Sequence, residues 1–192
     1  MPRIILSSKL KDSESIYLHD WIIQLIGSKF NVHIKQPLFP KVQKLIPKLR
    51  LGRHAILSSP IVSSSHHFLK ITKFHNIDRF RVFASGRDDT CHILVEFTPK
   101  CVSDFERTNH LRITADTVNT IFIIGDVNLV YKRLSEVQQN WKLNLAIDSR
   151  LKSIPVLVIN QCYVFDMDQI GTTKVFPYVY KHEKFLEIAF DN

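Results

Sequence analysis

The chain has 192 residues, 45% of them hydrophobic, which suits a single buried core and offers no apolar run near the roughly 20 residues of a membrane span. Its 26 Lys and Arg against 18 Asp and Glu give a formal charge of +8, but the excess is dispersed; the densest stretch, Lys41, Lys44, Lys48, Arg50 and Arg53, reads as a solvated basic loop rather than a nucleic-acid footprint. Cys91, Cys101 and Cys162 form no CxxC pair, which argues against a disulfide framework and against zinc and favours a reducing intracellular compartment.

The first clear element is a short amphipathic helix over about 20–26. Leu18, Trp21, Ile22, Leu25 and Ile26 recur at helical spacing, Asp20 puts negative charge near the start, and Gly27 would cap the end. Trp21 on that stripe reads as core. From 28 to 65 periodicity fails, and prolines 37, 40, 47 and 60 imply a long connection with at most one helical turn near 42–46. A connection of that length is either disordered or functional.

After residue 65 the period becomes two. Segments 69–73, 80–84 and 91–97, with turns at 75–78 and 86–89, predict a three-stranded meander. A short helix is predicted within 99–109, with Ser103 and Asp104 as start signals, and a long strand over 120–131 is interrupted by Gly125, where a bulge or sharp curl is expected. Good helix formers fill 132–140, and a last strand runs over about 156–165 with Pro155 at its start. Five strands with a helix between the third and fourth predict a mainly β protein: a five-stranded OB-fold Greek-key barrel with short flanking helices, one domain over 1–192.

Catalytic equipment is hard to assemble. The five glycines never cluster, so no phosphate loop can be written. Asp166-Met167-Asp168 has no nearby third metal ligand and reads as a helix cap after the last strand, and His66-His67 reads as a pair of exposed loop histidines. No Ser-His-Asp or Cys-His set emerges. The expectation is a non-enzyme with no cofactor and no metal. Phe68, Phe74, Phe80 and Phe83 interleave with Lys70, Lys73, Arg79 and Arg81, a mixture that either stacks and clamps single-stranded nucleic acid or buries its apolar members and leaves the basic ones solvated. Acids Asp78, Asp88, Asp89, Glu96, Asp104 and Glu106 lie in the same region and oppose a nucleic-acid backbone, so the mixed surface suits a protein partner better.

The phrases Lys70-Ile71-Thr72-Lys73-Phe74, Phe105-Glu106-Arg107-Thr108, Arg112-Ile113-Thr114, Ile123-Ile124-Gly125-Asp126, Asn160-Gln161 and Val179-Tyr180-Lys181, in that order, carry a family resemblance. The chain resembles the family of the third Ever Shorter Telomeres proteins, small regulatory subunits of budding-yeast telomerase. The likeness covers most of the chain, lapses across 28–65, and does not extend to the segment after Lys181. It implies a fold similar to the telomerase-recruiting OB domain of shelterin and a non-catalytic subunit of the telomerase holoenzyme. Such a subunit would contact the telomerase catalytic subunit and holoenzyme, and other telomerase or telomere-end proteins, in the nucleus at chromosome ends, with direct nucleic-acid binding weak or absent. Carried over position by position, the telomerase-binding surface includes Glu106, Thr117 and Asn119, while Trp21, Lys70, Asp88, Arg112 and Asp168 match other positions of functional or structural weight. On chemistry alone, Glu106, Thr117 and Asn119 are short polar groups expected to be exposed. Asp88 and Arg112 could pair across the barrel, and Trp21 belongs to packing. The alternative reading is a single-stranded telomeric DNA-binding OB protein.

Overall fold

The computed structural model describes residues 17–28, 37–43, 47–48, 59–60, 66–167 and 174–190. Helix α1 (Ile22–Ser28) comes first, followed by β1 (Pro47–Lys48) and β2 (Ser59–Pro60), which form a two-residue antiparallel ladder. Five longer strands follow: β3 (His67–Asp78), β4 (Arg81–Arg87), β5 (His92–Phe97), β6 (Ile121–Arg133) and β7 (Ser153–Asp166). They close into a barrel in the order β3-β4-β5-β7-β6, with every pairing antiparallel except β5 with β7. Helix α2 (Pro99–Asn109) links β5 to β6, α3 (Leu134–Trp141) follows β6, and α4 (Glu183–Phe190) follows the barrel. The expected OB-fold barrel is present.

Alternation along the strands fills the interior with Leu69 and Ile71, Val82 and Ala84, and Ile93, Val95 and Phe97, all buried. Gly86 belongs to that inner set: a Cβ there would lie 2.7 Å from Leu69 Cδ2, so the glycine makes room for a larger neighbour. A second apolar cluster, Leu18, Phe68, Ile121 and Ile123, sits on the outside of β3 and β6 under the N-terminal segment.

Strand β3 carries two extra residues relative to β4. The register slips once between Ile71 and Lys73 and again between Phe74 and Asn76, leaving Thr72 and His75 as the bulged positions. Each bulge consumes one residue, so the β3–β4 turn falls at Arg79 and Phe80, beyond the predicted 75–78. Both turn residues have positive φ, 48° and 63°. That is the signature of a type I′ hairpin turn, which Asn-Gly normally supplies.

Other boundaries moved for identifiable reasons. α1 begins two residues later than predicted, because a carboxylate from β4's end, described below, caps its first amide; Gly27 lies inside the helix. Thr98, rather than Ser103 or Asp104, caps α2: its hydroxyl accepts from the Cys101 amide at 3.4 Å, and Pro99 occupies the first turn. The single turn expected at 42–46 falls partly outside the described residues, and a Pro47–Pro60 pairing stands in the connection instead. The curl expected at Gly125 is carried by Asp126, with φ 46° and an amide donating to Pro40 O at 3.0 Å. Gly125 itself admits a neighbouring segment, since a Cβ there would come within 2.6 Å of Val42 and 2.7 Å of the Gln161 amide oxygen. Helix α4 had no counterpart in the sequence reading.

Candidate functional site

Strands β4 and β5 present an outer face that is sealed by the chain itself. Phe83, Ser85 and Arg87 alternate outward from β4. The Trp141 ring packs edge-on to Phe83 with centroids 4.6 Å apart, and its indole N–H donates to Ala84 O at 3.1 Å. Tyr178 OH meets Ser85 Oγ at 2.7 Å, and the Arg87 guanidinium lies 4.2 Å over the Phe176 ring. On β5 the His92 amide donates to Pro177 O at 2.8 Å. The buried Tyr180 hydroxyl accepts from Leu94 N at 3.0 Å and donates to Pro155 O at 2.8 Å, bridging β5 and β7 where their short parallel ladder ends. This strand pair and the adjoining loops are where OB folds commonly take oligonucleotides.

The two bulges fit the same network. Thr72 Oγ1 donates to Ser85 O at 3.3 Å and contacts His92 Nε2 at 2.9 Å, while His75 Nε2 contacts Ser85 Oγ at 2.7 Å. Burial, helped by the Lys73 charge, holds the His75 imidazole down at about 4, and burial likewise lowers His92. The Ser85–His75 contact resembles a nucleophile with its base, but Ser85 is only 1% exposed and its hydroxyl is shared with Tyr178. All three cysteines are free and buried, with Cys101 and Cys162 sulfurs 3.5 Å apart. Among the described residues no group of three metal-ligating side chains forms, and no helix is long and apolar enough to cross a membrane.

The polar surface left open is the second half of α2 and the connection to β6. His110 ends α2 in the left-handed conformation, its amide donating to Glu106 O at 2.9 Å. On the exposed flank of α2, Asp104 is held by Lys100 and by Arg107, the latter at 2.7 Å, and its carboxyl is pulled below the usual range chiefly by the Lys100 hydrogen bond. Glu106 is half-buried, and its carboxylate has no hydrogen-bond or ion-pair partner among the described residues. Arg112 and Asp116 are exposed on the connection, and Val118 is 41% exposed beside them.

Thr117 and Asn119 differ from the sequence expectation in exposure. Thr117 is fully buried, its hydroxyl and amide both donating to Thr114 O. Asn119 is half-buried at φ 61°, and its amide donates to Ile71 O at 2.7 Å, which starts the β3–β6 pairing. Asparagine tolerates that left-handed conformation better than most residues.

Trp21 and Asp88 tie the start of α1 to the barrel, and Lys70 lies on β3 opposite Arg87. The Trp21 indole N–H donates to Phe68 O at 3.0 Å, and its half-buried ring sits edge-on to Phe39 and His67, consistent with a packing role. Lys70 is fully buried, not solvated, and pairs across the ladder with the equally buried Arg87. Asp88 is also fully buried: its Oδ2 accepts from Ile22 N at 2.9 Å and its Oδ1 from Thr90 N, Thr90 Oγ1 and Cys91 N. The suggested Asp88–Arg112 pair therefore does not form; Arg112 is exposed and the carboxylate is already occupied. Asp168 lies outside the described residues, as does the helix cap suggested there.

A closed Greek-key barrel with this strand order, a capping helix between its third and fourth strands and a sealed β4–β5 face defines a protein of the OB-fold class. Residues 18–181 match the family model described as the shelterin complex subunit TPP1/ACD. The chain is 38% identical over 186 residues to the Telomere replication protein EST3 of Candida glabrata, covering 95% of this chain and 99% of that one. It is 33% identical over 188 residues to the protein of that name from Eremothecium gossypii, covering 97% and 93%. The chain belongs to the EST3 family of telomere replication proteins. The solved structure of the Est3 telomerase subunit in the yeast Hansenula polymorpha shares the fold, with a TM-score of 0.59 at 14% identity over 100% of this chain and 95% of that one.

Proposed function

We propose that the chain acts as a single OB-fold domain and a non-catalytic regulatory subunit of the telomerase holoenzyme, binding the telomerase catalytic subunit in the nucleus at chromosome ends. The contact surface in this reading is the second half of α2 and the connection to β6, with Glu106 at its centre and Arg112 beside it. Thr117 and Asn119 serve it by fixing the backbone of that connection. The observation that carries the reading is the contrast on α2: Asp104 is neutralised by two cations, whereas the half-buried Glu106 carboxylate has no such partner among the described residues. A half-buried carboxylate left open at a surface is suited to a cation on another protein. The sealed β4–β5 face supports a protein partner over an oligonucleotide at the usual groove.

The test is co-purification of the full chain with telomerase catalytic subunit and RNA. Glu106→Lys should abolish association while circular dichroism shows an intact fold. A folded variant that still associates normally would remove Glu106 from the contact.

A further inference from the structure

The β3–β4 hairpin ends in a tip whose residues the barrel does not require. Phe80 is 79% exposed at the turn and Ile77 is 56% exposed near the end of β3, two large apolar side chains within four residues of chain. Phe80 also occupies the left-handed region at φ 63°, after Arg79 at 48°. A bulky residue there is strained where glycine would not be. The tip's charges are unequal too. Arg81 is satisfied by Asp78 at 3.1 Å and approaches Glu96 at 3.7 Å, whereas the exposed Arg79 has no partner among the described residues. Asn76 Nδ2 donates to Asn140 O at 2.9 Å, which braces the hairpin against α3. The tip is thus an aromatic knob with one uncommitted guanidinium, a pair of residue types enriched in protein interfaces relative to the rest of the surface. It follows the end of β3 at Asp78, seven residues from Ile71, where Asn119 docks, a separation of roughly 20 Å at the strand rise.

We infer that this tip is a second protein-docking point, inserting Phe80 into an apolar pocket with an acidic rim on the telomerase catalytic subunit. The acidic rim is the complement of Arg79. The inference rests on the telomerase-subunit reading above.

The test compares wild type, Phe80→Gly and Glu106→Lys as full chains in co-purification with telomerase catalytic subunit and RNA, with melting temperatures measured in parallel. Because glycine relieves the left-handed strain, Phe80→Gly should melt at or above wild type yet retain about tenfold less telomerase. Wild-type retention by a folded Phe80→Gly chain overturns the docking point alone. Failure of wild type itself to retain telomerase overturns both this inference and the reading beneath it. Parallel loss of single-stranded oligonucleotide binding in a gel-shift titration would assign the tip to nucleic acid and overturn the protein pocket.

Discussion

The carboxylate of Asp88 and the backbone amide of Ile22, 66 positions apart, meet at 2.9 Å in the protein interior. A helix's first amides lack partners within the helix, and this one is satisfied from the end of β4 instead of by a neighbouring cap residue. The same carboxylate closes the β4–β5 turn through Thr90 and Cys91. One side chain therefore ties the N-terminal helix to the barrel.

Asp88→Ala should cost on the order of 3 kcal/mol, because it strands buried donors that were bound to a charged acceptor. Asp88→Asn keeps the shape and should cost less. Urea denaturation measures both, and an alanine variant as stable as wild type would show that α1 is held by packing alone.

Tyr180→Phe removes only the hydroxyl that joins Leu94 N to Pro155 O. Both groups are left buried and unpaired, so the loss should be about 1–3 kcal/mol despite conserved ring packing. Hydrogen exchange at the Leu94 amide should accelerate in the variant; unchanged protection would mean that the ladder closes without the tyrosine.

Stability should fall on acidification through His75. Its folded-state value of about 4 lies below the unfolded 6.5, because burial and then the Lys73 charge disfavour the imidazolium. Above 6.5 neither state holds the proton; between 6.5 and about 4 the unfolded chain takes it up first, so stability is lost as pH falls through that window. Burial lowers His92 in the same direction, so His75→Gln should flatten the dependence without removing it. Denaturation midpoints at pH 7 and pH 5 give the comparison, and equal slopes for both chains would count against His75.

Isolated chain should bind single-stranded telomeric DNA no tighter than about 10⁻⁶ M near 150 mM salt, with little preference over scrambled sequence. Its own residues from Phe176 to Tyr180, with Trp141, fill the β4–β5 outer face. Sequence-selective binding on the order of 10⁻⁸ M would require another site and favour the DNA-binding alternative.

The meander and the long sixth and seventh strands were legible because period-two alternation separates barrel inside from outside, and the helix after β5 because Val102 and Phe105 stand at helical separation. It does not separate buried from exposed when other segments cover the outside. Lys70 and Arg87 face outward as their spacing predicts, yet both are buried. The cover comes from residues 17–28 and 174–190, distant in sequence and without a periodic signal linking them to β3 and β4. Trp141, a large aromatic at the end of a helix pattern, is the sequence's hint of such a cover. The β3 bulges hid in plain alternation, since a bulged Thr72 or His75 looks like any polar member of the strand. At the candidate surface, Glu106 was nameable only through family resemblance, and its lack of a partner became visible once Asp104 was seen to hold Lys100 and Arg107.

Gly125, finally, sets how the poorly patterned connection joins the barrel. With no side chain there, Val42 reaches Gln161, whose amide accepts from Val42 N at 2.8 Å and donates to Val42 O at 2.9 Å, as a neighbouring strand would. On the other side of the connection His67 pairs with Ile124, and the His67 and Phe39 rings stack at 3.6 Å. The chain thus leaves and re-enters the barrel at adjacent points, and the gap to be closed is fixed whatever length lies between. Those two anchors set where the connection meets β6, so a side chain at position 125 would unseat the Val42 end while leaving the stacked Phe39–His67 end in place.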